Sequence, residues 1–329
     1  MSVLNEVPGG VGVPDDPTAA VTVVVCAYTE RRWEQTRAAV ASVLGQQPPP
    51  RQVVVVVDHN ARLAERSRRE FSGVKVVESA GPPGLSGARN TGLRAASEPV
   101  TVFLDDDATA RPGWLASLIE PYRSDQVVAT GGMVHPQWPA ARPVWLPATF
   151  DWVVGCSYRG LPEVPAPVRN PIGANMSFRT ALALGAGGFD GAIGRVGVLP
   201  RGCEETEMAI RITAARPGSV VFYVPAAAVD HCVPAERLRV RYFLRRCWHE
   251  GKSKAYVVRL AGAAAGLSAE RRHAASVIPA TLLRDLRSGI SGDGLAFARV
   301  AAAAAGFAAT ASGYLAGRAL THRSPSGQR

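Results

Sequence analysis

The stretch VTVFLDDDATARPGW, Val100–Trp114, is an apolar run rich in β-branched residues that stops abruptly at three aspartates. A short apolar run of this kind reads as a strand buried on both faces of a parallel sheet. Side chains alternate along extended backbone, so Asp105 and Asp107 point to one side and Asp106 to the other. Two carboxylates aimed at one point repel unless a cation lies between them. Hard oxygen donors suit Mg²⁺ or Mn²⁺, which reach substrate phosphates through one or two carboxylates. The alternative is an acidic turn in which Asp107 or Thr109 caps a helix starting near Pro112.

Working outward, VTVVVCAY (Val21–Tyr28), QVVVVVDHN (Gln52–Asn60) and Val74–Glu78 repeat the strand pattern. Helical spacing separates them, through Trp33–Leu44 up to Pro48–Pro50, and again over Ala61–Phe71 and Ala88–Ala96. Strand–helix alternation predicts right-handed crossovers and a mostly parallel α/β sheet with flanking helices. Tyr28, Asp58 and Asp105–Asp107 each follow the carboxyl end of an apolar strand, the edge at which open α/β sheets bind ligands. The expected organisation is a flexible leader over 1–20, the α/β domain over 21–230 and a basic helical extension over 231–329. Residues 136–167, rich in Pro and Trp, form an irregular excursion long enough to cover a substrate.

Composition narrows the classes. The chain has 329 residues, 47% hydrophobic and 19% charged, which excludes wholesale disorder. Five scattered cysteines with no Cys-x-x-Cys pair fit neither a disulfide framework nor a zinc knuckle, and suit a reducing cytosol. The first residues show no basic segment followed by an apolar one, so no secretory signal is expected. The net charge of +10 is lopsided: from His231 onward 16 Lys+Arg face 5 Asp+Glu, leaving the first 230 residues at −1. A cationic tail on a neutral body points to an anionic neighbour or to a solvated basic surface.

Four further motifs stand in order along the chain: GLSGARNTGL (Gly84–Leu93), IGANMSFR (Ile172–Arg179), GGFD (Gly187–Asp190) and RGCEETEMAIRI (Arg201–Ile212). A glycine-rich turn opening a helix lets backbone N–H groups approach an anion, and Arg89 could add a charge-assisted contact. Acids in the first turn of a helix either complement its dipole or serve as a base. Together with the aspartate trio, the set resembles the family 2 inverting glycosyltransferases of the GT-A fold, a Rossmann-like nucleotide-diphospho-sugar transferase. The resemblance spans about Val21–Ala255. CAYTERRW and GLSGARNTGL look like actinobacterial members.

The resemblance implies a role for each matching residue. Tyr28 and Asp58 would hold the nucleotide base, with uridine favoured because a carboxylate accepts its N3–H. Here the family's second acid is replaced by His59, read as a surface or helix-capping residue. Arg89, Asn90 and Gly92 would line the diphosphate, and Gly173 and Asn175, beside Ala174, the donor sugar. Asp105 and Asp107 would hold Mg²⁺ or Mn²⁺ with His231, while Asp105 and Asp106 also meet the donor. Glu205, or else Glu204, would take the proton from an acceptor hydroxyl. A single displacement would then invert the anomeric centre.

RRCWHEG (Arg245–Gly251) stands where processive members carry Gln-x-x-Arg-Trp, and the mismatch implies transfer of a single sugar. The basic aromatic segment Arg239–Lys254 suits a membrane surface, or a helix with its aromatics packed inward and its arginines outward. Val300–Gly317 has no charge over 18 residues, and its Ala/Gly content favours a peripheral or packed helix over a span. The expected partners are a nucleotide-sugar donor, a glycan or polyprenyl-linked acceptor and a membrane surface. The expected place is the cytoplasm, peripheral to the inner face of the cell membrane. A nucleotidyltransferase would need a glycine-rich, basic loop after the first strand, which CAYTERRW lacks. A nucleic-acid-binding protein is disfavoured by acidic clusters on a neutral body.

Overall fold

Four parallel strands open the fold in a computed structural model that describes residues 21–195 and 201–322. They are β1 (Val21–Ala27), β2 (Gln52–Val57), β3 (Lys75–Glu78) and β4 (Val100–Asp105). The leader expected over 1–20 lies outside the described residues. β1 is buried on both faces, as its unbroken valines require. Val21, Val23 and Val25 join one core with α1 (Trp33–Leu44) and α2 (Ala61–Glu70), whereas Val24 joins the other with α3 (Leu85–Ala95).

α3 begins at Leu85, one turn before the expected Ala88, because Gly84 turns the chain at φ 133°. A Cβ on Gly92 would come within 2.4 Å of Val24 Cγ1. That glycine therefore seats the helix against the sheet.

The chain runs from β1 outward to β2 and β3, then returns to β4 on the other side of β1. The strand order reverses between β1 and β4, where Cys26 pairs in register with Asp105. This reversal opens the crevice in which such sheets hold ligands. Beyond β4 the sheet is mixed. β8 (Asn175–Arg179) runs antiparallel between β4 and β6 (Val127–Gln137), and β9 (Val220–Cys232) runs parallel to β6. Short strands β5 (Ala108–Ala110) and β7 (Ala166–Val168) pair with β9. α4 (Trp114–Ile119), α5 (Thr180–Gly185) and α6 (Glu204–Ala215) flank this half.

The tail is helical: α7 (Val240–Gly266), α8 (Ser268–Arg272), a π-helical turn (His273–Val277), α9 (Ile278–Ile290) and α10 (Leu295–His322). α10 lies along α7 in the same direction. A Cβ on Gly251 would fall 2.0 Å from Thr310 O, and one on Gly313 would fall 2.1 Å from Trp248 O. Glycines on both helices let the two backbones touch. One face of the charge-free segment is thus packed. Residues 136–167 fold over the sheet edge through a 3-10 segment, Ala148–Val154, whose Phe150 meets Phe243 of α7.

Candidate active site

A cavity of about 650 Å³ opens at the carboxyl edge of β1 and β4 and runs beneath the tail. Its donor end is lined by Tyr28, Asp58, Gly84, Asp105, Asp107 and His231, and its far end by Val277, Ile278 and Phe307. The excursion expected to cover a substrate does form a wall, through Phe150, Trp152 and Tyr158.

Asp105, Asp107 and His231 bring one ligand atom each to within 4.8 Å of one another. β4 supplies Asp105, and the turn after it supplies Asp107. β5 pairs with β9, placing Ala108 opposite His231. His231 Nε2 lies 3.3 Å from Asp107 Oδ1. Neither Asp107 nor Thr109 caps α4, whose N-cap is Gly113. Burial alone would raise the Asp107 carboxyl, but His231 and Arg32 hold it well below the usual range. Two carboxylates and one imidazole around a common point, with Asp107 kept ionised, fit a divalent ion such as Mn²⁺ or Mg²⁺.

Asp106 points away from this cluster. It is buried against Arg32, at 2.8 Å, and is absent from the cavity lining. Burial first, and Asp107 second, push its carboxyl up to about 7. Arg32 spans both acids, reaching Asp107 Oδ2 at 3.0 Å, and stands over the Tyr28 ring at 5.4 Å. The loop after β1 thus braces the acidic turn after β4.

Arg89 is a second brace. It is buried; its Nη1 donates to Glu204 Oε1 at 2.7 Å, and its Nη2 to Asp105 Oδ1 at 3.1 Å and to Gly173 O at 2.8 Å. One guanidinium therefore joins the acidic cluster to the first turn of α6. Glu205, the next residue, faces the cavity. Burial, reinforced by the Glu204 charge, raises its carboxyl to about 7. A carboxylate tuned near neutrality suits a general base.

The sequence of this chain aligns at 35% identity over 238 residues with a glucosyl-dolichyl phosphate glucuronosyltransferase of Haloferax volcanii. The alignment covers 71% of this chain and 76% of that protein. The Glycosyl transferase family 2 profile matches residues 22–183. The chain belongs to glycosyltransferase family 2. A second relative of this glycosyltransferase is the pre-mycofactocin glycosyltransferase of Mycobacterium tuberculosis, 28% identical over 192 residues, covering 56% of this chain but 37% of that one. Related proteins also come from animals, so the likeness singles out no actinobacterial group.

Among solved structures, the fold matches the mannosyltransferase PcManGT of Pyrobaculum calidifontis, bound to GDP-Man and Mn²⁺. The TM-score is 0.58 at 19% identity, over 90% of this chain and 87% of that one. It also matches GalNAc-T7 bound to UDP, GalNAc and Mn²⁺, with a TM-score of 0.51 at 17% identity, over 73% of this chain and 51% of that one. The architecture is that of the GT-A glycosyltransferases.

Several residues singled out by motif stand elsewhere in the glycosyltransferase. Asn175 is fully buried; it accepts from Trp114 Nε1 at 2.8 Å and donates to Ala227 O at 2.8 Å, pinning β8 in the sheet. Asn90 clasps the GGFD loop, donating to Phe189 O and accepting from Phe189 N. Gly92 seats α3, as described. These three hold the walls of the cavity rather than line it. Asp58 does line it, with one oxygen accepting from Gly84 N at 2.9 Å and the other 2.7 Å from His59 Nδ1. The α2 cap is Asn60, not His59.

Motif reading missed Arg32, Arg195 and Arg237, all in the lining. Arg237 is buried and donates to Val154 O at 2.8 Å. Arg195 is held by no acid among the described residues, and burial followed by Arg237 lowers its pKa. The position of Arg32, four residues past a strand-end tyrosine, was visible. Nothing in the sequence marked Arg195 or Arg237.

α7 also turns charge inward. Arg246, Glu250 and Lys254, spaced by four, line the cavity, with Lys254 Nζ 2.7 Å from Glu270 Oε1 of α8. The expectation of aromatics inward and arginines outward is thus half reversed: Phe243 is buried and Arg241 and Arg245 are exposed, but Arg246 turns inward and Trp248 is exposed. The matched acids Glu250 and Glu270 make those charges tolerable.

Proposed function

We propose that this glycosyltransferase moves one sugar from a uridine-diphosphate sugar, with inversion and dependence on a divalent metal, to a hydroxyl of a lipid-linked glycan acceptor. The observation that carries the reading is Glu205. Its near-neutral carboxyl faces the same cavity as Asp105, Asp107 and His231, and Arg89 ties its neighbour Glu204 to Asp105.

The chemistry follows from these placements. Tyr28 offers a stacking face and Asp58 an acceptor to a pyrimidine base. Asp105, Asp107 and His231 would hold Mn²⁺ or Mg²⁺, which supplies positive charge to the diphosphate leaving group. Arg195 and Arg237 are placed to take phosphate oxygens, a part that Arg89, committed to two carboxylates, does not play. Glu205 accepts the acceptor hydroxyl's proton as that oxygen bonds to the anomeric carbon. The bond from that carbon to the diphosphate oxygen breaks, and its electron pair leaves with the nucleotide. One displacement on the face opposite the leaving group inverts the centre.

The lipid-linked acceptor is supported by the Haloferax relative, whose name specifies a dolichyl phosphate substrate, and by the cavity's extension under the apolar tail. A place on the cytoplasmic face of a membrane follows from that reading. Release of UDP from UDP-sugars by the purified protein, with and without Mn²⁺, tests the donor. Glu205→Gln should keep Mn²⁺-dependent UDP binding and lower transfer about 10²–10⁴-fold. Full turnover by that variant would remove the assignment of the base.

A further inference from the structure

α9 and α10 expose more apolar surface than a helix in water has reason to. On α9 the body covers only part of the apolar arc. Thr281 and Asp285 are buried and Leu282 packs on the tail core, while Leu283, Leu286 and Ile290 stand out at 55%, 37% and 81% exposure. The spacing of these three puts them on one stripe. Arg284 and Arg287 lie along its edge, both exposed. α10 continues the surface. Its packed side is Ala303, Gly306 and Gly313, and its open side carries Phe297 and Leu315.

From Val300 to Gly317 that open side has no charged residue. The stretch Leu295–Ala319 is long and apolar enough to cross a membrane, and only 17% of its most apolar window is buried. A water-exposed helix face is ordinarily charged, so this face is made for a partner.

We infer that the α9 stripe and the open side of α10 form a docking surface for an anionic lipid bilayer, lying in its interface with α9 beside the far end of the cavity. This rests on the lipid-linked acceptor proposed above. Two observations favour lipid over a second copy of the chain. Exposed Arg284 and Arg287 edge the stripe, on a tail that carries +11 from His231 onward, and such a border suits anionic headgroups; an isologous pairing would instead press equivalent arginines together. The same segment also lines the cavity, through Val277 and Ile278 immediately before the stripe. An acceptor headgroup could therefore enter the cavity while its chain remains in the bilayer.

Co-flotation with vesicles tests this, using phosphatidylcholine alone and phosphatidylcholine mixed with phosphatidylglycerol. The wild-type chain should float with the anionic vesicles and less with the neutral ones. The triple variant Leu283→Glu, Leu286→Glu, Ile290→Glu should lose about tenfold or more of that partition, since each acid replaces apolar contact with a charge. Arg287→Glu should lose less, and mainly at low salt.

Because Leu283, Leu286 and Ile290 are exposed and none of them lines the cavity, the triple variant should release UDP from the donor in solution at the wild-type rate. That readout separates this proposal from the functional one. Loss of vesicle binding with intact UDP release supports the docking surface. A wild-type chain that ignores both vesicle types overturns it, as does one that light scattering shows to be a dimer broken by the triple substitution. Absence of UDP release in wild type sinks the donor reading alone.

Discussion

The donor edge and the helical tail meet in one cavity but are built by opposite means. At the donor edge, strands fix the positions and the backbone does the placing. Cys26 pairs with Asp105 and Ala108 with His231 in sheet register, so each functional side chain inherits its location from hydrogen-bonded neighbours. In the tail, side chains do the placing. The charge pair Lys254–Glu270 ties α7 to α8, and backbone contact at Gly251 and Gly313 ties α7 to α10. A site set by sheet register should tolerate loss of a ligand in structure and fail in chemistry. A wall set by paired charges should fail in stability first.

The largest expected effect is at the donor edge. Asp107→Ala should abolish Mn²⁺-dependent UDP binding by calorimetry and lower transfer at least about 10³-fold, while circular dichroism remains that of a folded chain. Lys254→Met is the contrasting break in the tail. It removes the buried cation that Glu250 and Glu270 share while leaving Arg246 on the first and Arg169 on the second, and should cost about 1–3 kcal/mol in urea unfolding, with UDP binding kept. If Lys254→Met removed UDP binding from a stable protein, the division between the two regions would be wrong. Gly251→Ala sharpens the same contrast. Its methyl would meet Thr310 O at 2.0 Å, prying α10 from α7 at about 1–3 kcal/mol.

The two regions also differ in how readable they were. Each of the four donor-edge strands announced itself by a β-branched run, and the acids at their tips needed only alternation to be aimed. Alternation sends Asp105 and Asp107 to the cavity and Asp106 to the interior, as the structure has them, whereas the family resemblance had also given Asp106 to the donor. Motif matching was less faithful than geometry. Asn90, Gly92 and Asn175 sit in family positions, yet here they clasp a loop, seat a helix and pin a strand. A motif records that a residue type is needed at a place without saying whether it touches the ligand or the wall behind it.

Arg89 carries the same lesson. A guanidinium near a glycine-rich turn reads as a phosphate contact, but only the folded chain brings Glu204, 115 residues on, within 2.7 Å of it. In the tail, no rule of periodicity tells an inward-facing charged row from an outward-facing one. The spacing Arg246–Glu250–Lys254 is the same for both. What decides is the cavity against which the row packs, and that is assembled from segments far apart in sequence.

The smallest effect is the most specific to the link between the regions. Glu205 must be ionised to take a proton, so transfer should rise with pH through about 7, where burial and the Glu204 charge have placed it. Glu204→Gln removes that neighbouring charge and frees Arg89 to favour the ionised form of Glu205. Both changes lower the Glu205 pKa, and the acidic limb of the pH–rate profile should move to lower pH.

Stability gives an independent check on the sign. A carboxyl whose folded pKa exceeds its unfolded value contributes stability that is full at low pH and lost as pH rises through about 7. Glu205→Gln should therefore match wild type near pH 4 and exceed it at pH 8 by about 1–2 kcal/mol, after allowance for partial exposure. A limb that ignored Glu204→Gln, together with a Glu205→Gln variant no more stable at pH 8, would show that the group titrating near neutrality is not Glu205. The base would then have to be sought on the tail side of the cavity.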